Sequence, residues 1–407
     1  MKILFITNLL PYPLDNGGKI KSYNTLEMMA AGNEIDIFTF YEDDKENESL
    51  EYMKRKYNNI NAIKRTLTTS RDIKKMLMIA FKSLFNKLPF VLLKYKDKEM
   101  SKILNASIIE GKYDLIYIDH LQLGVYWDIL KKAKCPIYLD QHNCESQILK
   151  RKVDSTTSFI KRKFVNVEYK KLKKFEDFMI ENSDKIIVLT EEDKKSLLNG
   201  MSNNVKDEKF VVIPIPVESD YKKDIGIRLT NKINIMFLGT LSWHPNLDGV
   251  KWFINRVVPI LDSVRIDYKL FIVGKNPDKA LQDMCKRNKN IELTGYVDDV
   301  NEYINICDVM VVPIFVGSGM RVKILEALGK RIPIISTSIG VEGIFANDGE
   351  EVLIANNENE FIKQISTLMK NDELYCKLQK NGHCLFENNY SIEAIVKKYR
   401  KSVLNIK

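Results

Sequence analysis

The chain is poor in the residues that build metal centres and disulfide frameworks. It has four histidines and six cysteines in 407 residues, and Cys135, Cys144, Cys285, Cys307, Cys376 and Cys384 include no Cys-x-x-Cys pair. That spacing indicates neither zinc nor a disulfide pattern, and the thiols read as reduced and mostly buried, as in a cytoplasmic protein. A histidine metal centre is disfavoured by the small number of histidines. The opening Met1-Lys-Ile-Leu-Phe-Ile-Thr7 carries too short an apolar run for a signal peptide and reads as a buried strand. No run approaches the ~20 residues needed to span a bilayer.

What is present describes an ordinary globular protein. Hydrophobic residues make up 45% and charged residues 29% of the chain, and its length allows two domains, each with its own core. The net charge of +9 is unevenly spread. Residues 149–174 hold ten lysines and arginines against Asp154 and Glu168, and residues 71–98 mix lysines with large apolar side chains. Such stretches suit an anionic lipid surface or a lipid-linked acceptor, which would place the protein at the inner face of the membrane. A solvated helix face beside a normal core face explains them equally well. Nucleic acid is a weaker reading, because no RNA- or DNA-binding motif accompanies the charge.

Strand and helix signals alternate through both halves, which predicts an α/β fold with parallel sheets covered by helices. Strands are expected at residues 2–7, 35–41, 115–118, 137–140, 185–190 and 210–213. The second half offers 233–238, 269–273, 291–294, 309–312, 332–336 and a shorter 352–354. Helices are expected at 246–261 and 321–328, among other intervals. Pro214 and Pro216, followed by charge up to Asp224, mark a linker. The domain boundaries are therefore set at 1–217 and 218–390, with a final helix at 391–407.

The richest stretch is Val312-Pro-Ile-Phe-Val-Gly-Ser-Gly-Met-Arg-Val-Lys-Ile-Leu-Glu-Ala-Leu-Gly329, followed by Ile332-Pro-Ile-Ile-Ser-Thr337. It reads as strand, glycine-bearing loop, helix start and buried strand. Gly317 and Gly319 let the backbone approach a ligand closely, and the N–H groups opening the helix attract an anion. Arg321 and Lys323 add positive charge at the end of the helix where the dipole disfavours it, an arrangement that an anion would relieve. Glu326 follows, placed to accept hydrogen bonds from ribose hydroxyls. A nucleotide sugar would satisfy all these groups together; the other reading is an ordinary turn at Gly317 and Gly319 with Arg321, Lys323 and Glu326 on the surface, since glycine-rich strand–helix turns are common.

This segment resembles the donor-site signature of GT-B glycosyltransferases, in particular the retaining family 4 type, in which G-x-G-x-R-x-K-x-x-E-A precedes a P-[IV]-[IV]-[ST]-T strand. The resemblance implies two Rossmann-like domains with parallel sheets facing a central cleft, and a last helix that crosses back to the first domain. Within it, Gly17 and Gly18 resemble the loop near the donor diphosphate. His120 matches a histidine that many members use near the acceptor and donor sugar, and His142 and Glu145 lie in a D-x-H-N-x-E segment on the acceptor side. Gly239, Thr240 and His244 match a donor loop that usually carries an Arg and a Lys. Here Thr240 stands at the Arg position, so Arg321 and Lys323 are expected to take over charge neutralisation. Tyr296 and Val297 resemble a G-[FY]-V turn that meets the base. Ser318 replaces the first glutamate of the family's E-x7-E pair, leaving the N–H groups of Gly319 and Met320 to hold the sugar end.

The resemblance thus implies transfer of a sugar from a UDP- or GDP-sugar to a glycan, lipid-linked or other hydroxyl acceptor with retention, in bacterial surface-glycan assembly. His120, Arg321, Lys323 and Glu326 are the expected catalytic residues. The chain has no Asp-x-Asp, the metal-binding pair of the other glycosyltransferase fold, so no cofactor and no essential metal are expected. Two other readings stay open: a noncatalytic nucleotide-sugar-binding or scaffold protein of the same fold, and a nucleotide-sugar 2-epimerase.

Overall fold

Two runs of buried residues, Lys2–Thr7 and Ile233–Leu238, each start a separate parallel sheet. The computed structural model describes the chain except residues 15, 43–45, 66–72, 200, 202–204, 220–224, 227–231, 318 and 405–407. The linker charge at 220–224, Ser318 and the first two residues of the 71–98 segment therefore lie outside the described residues.

The strands of the first sheet are β1 (Lys2–Thr7), β2 (Glu34–Tyr41), β3 (Asn59–Lys64), β4 (Leu115–Asp119), β5 (Ile137–Gln141), β6 (Lys185–Val188) and β7 (Phe210–Val212). Their order is β3-β2-β1-β4-β5-β6-β7, and all neighbours run parallel. The second sheet contains β8 (Ile233–Leu238), β9 (Tyr268–Val273), β10 (Ile291–Gly295), β11 (Val309–Val312), β12 (Ile334–Ser336) and β13 (Leu353–Ile354). Its order is β10-β9-β8-β11-β12-β13, the doubly wound dinucleotide-fold order.

Because helices cover both faces of such sheets, their central strands read as continuous apolar runs. Leu4, Phe5, Ile6, Ile116, Tyr117 and Ile118 are fully buried. β3 is the strand not anticipated from the sequence. It lies at the sheet edge and buries little besides Ile63, so Asn59-Ile-Asn-Ala-Ile-Lys64 shows only weak hydrophobic patterning. The single helix expected over 246–261 is two, His244–Arg256 and Val258–Ser263, because Pro259 supplies no N–H to a continuing ladder.

The chain divides into two units. Unit 1 comprises Met1–Ile215 and the residues from Lys398 on, and unit 2 comprises Pro216–Lys397. The last helix, Ile392–Ser402, thus ends in unit 1. There the Tyr399 ring lies 6.5 Å from that of Tyr117, and Lys185 Nζ donates to the Ser402 carbonyl at 2.8 Å. In each unit the strand order reverses direction once, between β1 and β4 and between β8 and β11. A crevice opens at the carboxyl ends of the strands at such switch points.

Candidate active site

At the first switch point, β4 ends in Asp119 and the chain turns sharply at His120, whose φ is 90° and ψ 135°. A non-glycine residue in that region costs roughly 1–3 kcal/mol and persists only where its surroundings fix it. Here His120 N donates to the Asp140 carbonyl at 3.0 Å, tying the turn to β5.

Asp119 is fully buried and receives hydrogen bonds from three elements. Thr7 Oγ1 donates to Oδ2 at 2.7 Å from the end of β1, and Ser22 Oγ donates to it at 2.6 Å from the helix Gly17–Ala30. His142, just after β5, places Nε2 2.7 Å from Oδ1. His120 Nδ1 lies 2.9 Å from the Asp119 carbonyl and 3.2 Å from Oδ2. All these oxygens are acceptors, so His120 Nδ1 and His142 Nε2 carry the protons, and a neutral His120 presents Nε2 as its acceptor. The two rings are 3.7 Å apart between centroids.

The charges follow from this packing. Burial works against ionised Asp119, but His120 and His142 outweigh it and hold its pKa well below the usual carboxylate range. Burial likewise opposes His120, whose pKa is nonetheless raised by Asp119. His142 is pushed down to about 4 by burial, with His120 and Lys21 adding to the effect, so it is neutral at pH 7. Glu145 opens the helix Glu145–Ser155, and burial raises its pKa, with His120 and Gln122 opposing. Behind this group, Lys21 forms a buried ion pair with Asp140, whose Oδ2 also accepts the Tyr117 hydroxyl at 2.6 Å.

Asp119, His120 and His142 each bring one potential ligand atom within 4.8 Å of the others, the one such group among the described residues. Both histidine nitrogens facing Asp119 are hydrogen-bonded to it, so a cation there would have to break that network.

At the second switch point the loop after β8 begins at Gly239, with φ 158°. A Cβ there would stand 2.8 Å from Asn246 Nδ2 and 3.0 Å from Lys323 Nζ. Asn246 bridges the site: its Nδ2 donates to the Thr240 carbonyl at 3.0 Å, and its Oδ1 accepts Lys323 Nζ at 2.7 Å. The Lys323 ammonium also lies 4.9 Å from the centre of the Phe237 ring. Arg321 is buried immediately before the helix Val322–Gly329 and donates through Nη1 to the Gly319 carbonyl. Gly317, at φ 138°, makes room for it: a Cβ there would be 3.0 Å from Arg321 Nη2.

Burial, and then the neighbouring Arg321 charge, lower Lys323 to about 7 against a small opposing pull from Glu326. Burial raises Glu326, with Lys330 and Lys323 opposing. This site gathers cations and a half-buried acid and leaves the cations in mutual opposition.

The structure therefore brings together Gly239, Thr240, Gly317, Gly319, Arg321 and Lys323 in unit 2, with Glu326 close enough to affect Lys323. It brings together His120, His142 and Glu145 in unit 1. Met320 is buried. Gly17 and Gly18 form the first turn of a helix capped by Asn16, whose side chain accepts Lys19 N at 3.0 Å. His244 is exposed, with Nδ1 2.6 Å from Asp248 Oδ2, and Tyr296 is 71% exposed beside Val297. Asp119, Thr7, Ser22, Lys21 and Asn246 were not singled out from the sequence.

Residues 232–371 match the model of the family described as Glycosyl transferases group 1. A Klebsiella pneumoniae protein described as "Uncharacterized 44.6 kDa protein in cps region" is 25% identical over 97% of both chains. The alpha-monoglucosyldiacylglycerol synthase of Acholeplasma laidlawii is 29% identical over 46% of this chain and 51% of its own. The crystal structure of Anabaena Alr3699/HepE in complex with UDP and glucose superposes with a TM-score of 0.64 at 13% identity, covering all of both chains. That identity speaks for the fold. Residues 232–371 thus match the glycosyl transferases group 1 family, and the chain has the GT-B fold of its structural neighbours.

Proposed function

We propose that this protein transfers a sugar from a UDP- or GDP-sugar to a hydroxyl acceptor, with retention of anomeric configuration, in the assembly of a bacterial surface polysaccharide. One observation carries the reading. Arg321 and Lys323 both lie at the β8/β11 switch point, and burial, with the Arg321 charge adding to it, lowers the pKa of Lys323 to about 7. A donor diphosphate would resolve the conflict by pairing with both cations.

Departure of that diphosphate is the demanding step, and charge placed in advance where the leaving group develops its own is the most effective way to assist it. Arg321, Lys323 and the N–H groups that open the helix Val322–Gly329 would supply this charge. Gly239 and Gly317 would admit the phosphates, and Glu326 would accept a hydrogen bond from a sugar or ribose hydroxyl. Tyr296 and Val297 would lie toward the base. The reading assigns the acceptor to the unit 1 group of His120, His142 and Glu145, with Gly17 and Gly18 toward the diphosphate. A glycan or lipid-linked hydroxyl fits the cps-region name of the Klebsiella relative. The charge supplied by Arg321 and Lys323 makes an essential metal unnecessary. Attack on the face the diphosphate leaves, with the leaving phosphate taking the acceptor proton, accounts for retention without a carboxylate nucleophile.

The test is nucleotide release from a panel of UDP- and GDP-sugars, beside Glu326→Ala. Release with one donor that the substitution abolishes is expected. Stabilisation by UDP or GDP without release from any donor or acceptor mixture would replace transfer with binding alone. Neither release nor stabilisation would remove the nucleotide-sugar reading.

A further inference from the structure

The helix Ile73–Leu84 turns a row of large apolar side chains to solvent. Leu77, Phe81, Leu84 and Phe85 follow i, i+4, i+7, i+8 spacing, which places them on one helical face. Phe81 is 64% and Phe85 80% exposed, and their rings meet edge to face at 5.3 Å. The opposite face, through Ile79 and Ser83, is the one that packs inward.

A second exposed apolar pair belongs to the same unit. The helix Phe159–Asn182 begins with Phe159 and Ile160, 79% and 80% exposed. The two helical regions are joined, because Lys171 Nζ donates to the Ser83 carbonyl and Phe90 N donates to Glu168. Phe159 lies nine residues before Glu168, roughly 13 Å along the helix.

The charge around both patches is predominantly positive. Residues 73–96 contain six lysines and neither Asp nor Glu, and Phe159 and Ile160 run into Lys161-Arg162-Lys163, all exposed. A groove of about 650 Å3 is lined by Met78, Ile79, Phe81, Phe85 and Leu93. It is also lined by Arg65, Lys82, Lys96 and Lys98. Its one carboxylate, Asp97, is occupied in capping the helix Lys98–Glu110. Among the described residues, Arg65 Nη1 is buried without a hydrogen-bond partner.

We propose that these two apolar patches of unit 1 dock on a bilayer containing anionic lipid, with Phe81, Phe85, Phe159 and Ile160 entering the headgroup–acyl boundary and the surrounding cations pairing with lipid phosphates. Apolar side chains ringed by cations match that boundary, where burial and charge attraction add. A second copy of the chain is a poorer occupant. A two-fold interface through these patches would set the same lysines against each other. The inference stands apart from the donor reading, since none of these residues belongs to the Arg321–Lys323 site.

The experiment is co-sedimentation of the full chain with vesicles of phosphatidylcholine alone or mixed with phosphatidylglycerol, using Phe81→Ser/Phe85→Ser and Lys161→Glu/Lys163→Glu variants. All these side chains are exposed, so circular dichroism and melting should match the parent. The expected result is binding to the anionic vesicles that weakens with salt and falls about tenfold or more in each variant. Nucleotide release from a soluble donor should be unchanged in the variants, which separates this inference from the donor reading. Equal binding to neutral vesicles, or anionic binding that survives both variants, would overturn it. So would an oligomer that Phe81→Ser/Phe85→Ser dissociates with no effect on vesicles, which would identify a second copy as the occupant.

Discussion

The two switch points share a backbone plan and differ in how their charge is balanced. At the unit 1 switch point Asp119 sits between two histidines and two hydroxyls, and Lys21 is paired with Asp140. In unit 2 burial, and then the like charge of Arg321, drive Lys323 toward neutrality, while burial raises the pKa of Glu326. A site that balances its own charge is preorganised, and removing one member should strand the rest. A site that leaves like charges together stores a demand for an external anion, and removing one member should relieve it.

The sharpest way to break this comparison is Lys21→Met. Lys21 and Asp140 are almost wholly inaccessible, so the substitution leaves a buried carboxylate with only the Tyr117 hydroxyl. Removing one partner of a buried pair costs about 3–5 kcal/mol. Hydrogen exchange of the β1, β4 and β5 amides should quicken accordingly, with those of β8 and β11 unaffected. If exchange stays within about 0.5 kcal/mol of the parent, the level of an ordinary surface change, unit 1 does not depend on internal pairing.

Arg321→Met should act in the opposite sense. Without nucleotide the protein should be as stable as the parent or more so, because Lys323 loses a like-charged neighbour. Affinity for UDP or GDP should fall about ten- to a hundred-fold, the worth of a hydrogen bond to a charged group. Calorimetric titration beside a thermal melt reads both. A destabilised protein with undiminished affinity would mean that Arg321 is structural.

How much of this was open to sequence reading depends on how far apart the partners lie. Gly317, Gly319, Arg321, Lys323 and Glu326 fall within ten residues, so a strand–loop–helix reading already puts them at one helix end. Most strands were visible for a similar reason, since buried parallel strands are local apolar runs. The unit 1 network is built from separations that no local pattern encodes: Thr7 and Asp119 are 112 residues apart, and Lys21 and Asp140 are 119. His120 could be picked out, but not the partner that sets its tautomer. The sequence showed that residues 71–98 mix lysines with large apolar side chains without showing which of these point outward, because a buried and an exposed apolar face follow the same spacing.

The finest discrimination between the two sites is in pH. Lys323 has its pKa lowered to about 7 in the folded protein from the ordinary 10.5. Between those values the unfolded chain binds more protons than the native one, so Lys323's contribution to stability is full above 10.5 and is lost as pH falls from there to about 7. Nucleotide binding should run the other way. A diphosphate favours the charged amine, so binding above pH 7 takes up a proton, and affinity should weaken by at most about tenfold per pH unit. Titration at pH 8 in buffers of different ionisation enthalpy measures that uptake directly, and Lys323→Met should eliminate it. His142, neutral from about pH 4 upward, contributes nothing in this window. Uptake that persists in the Lys323 variant would assign the proton to another group, and the charge conflict in unit 2 would then not be what nucleotide binding relieves.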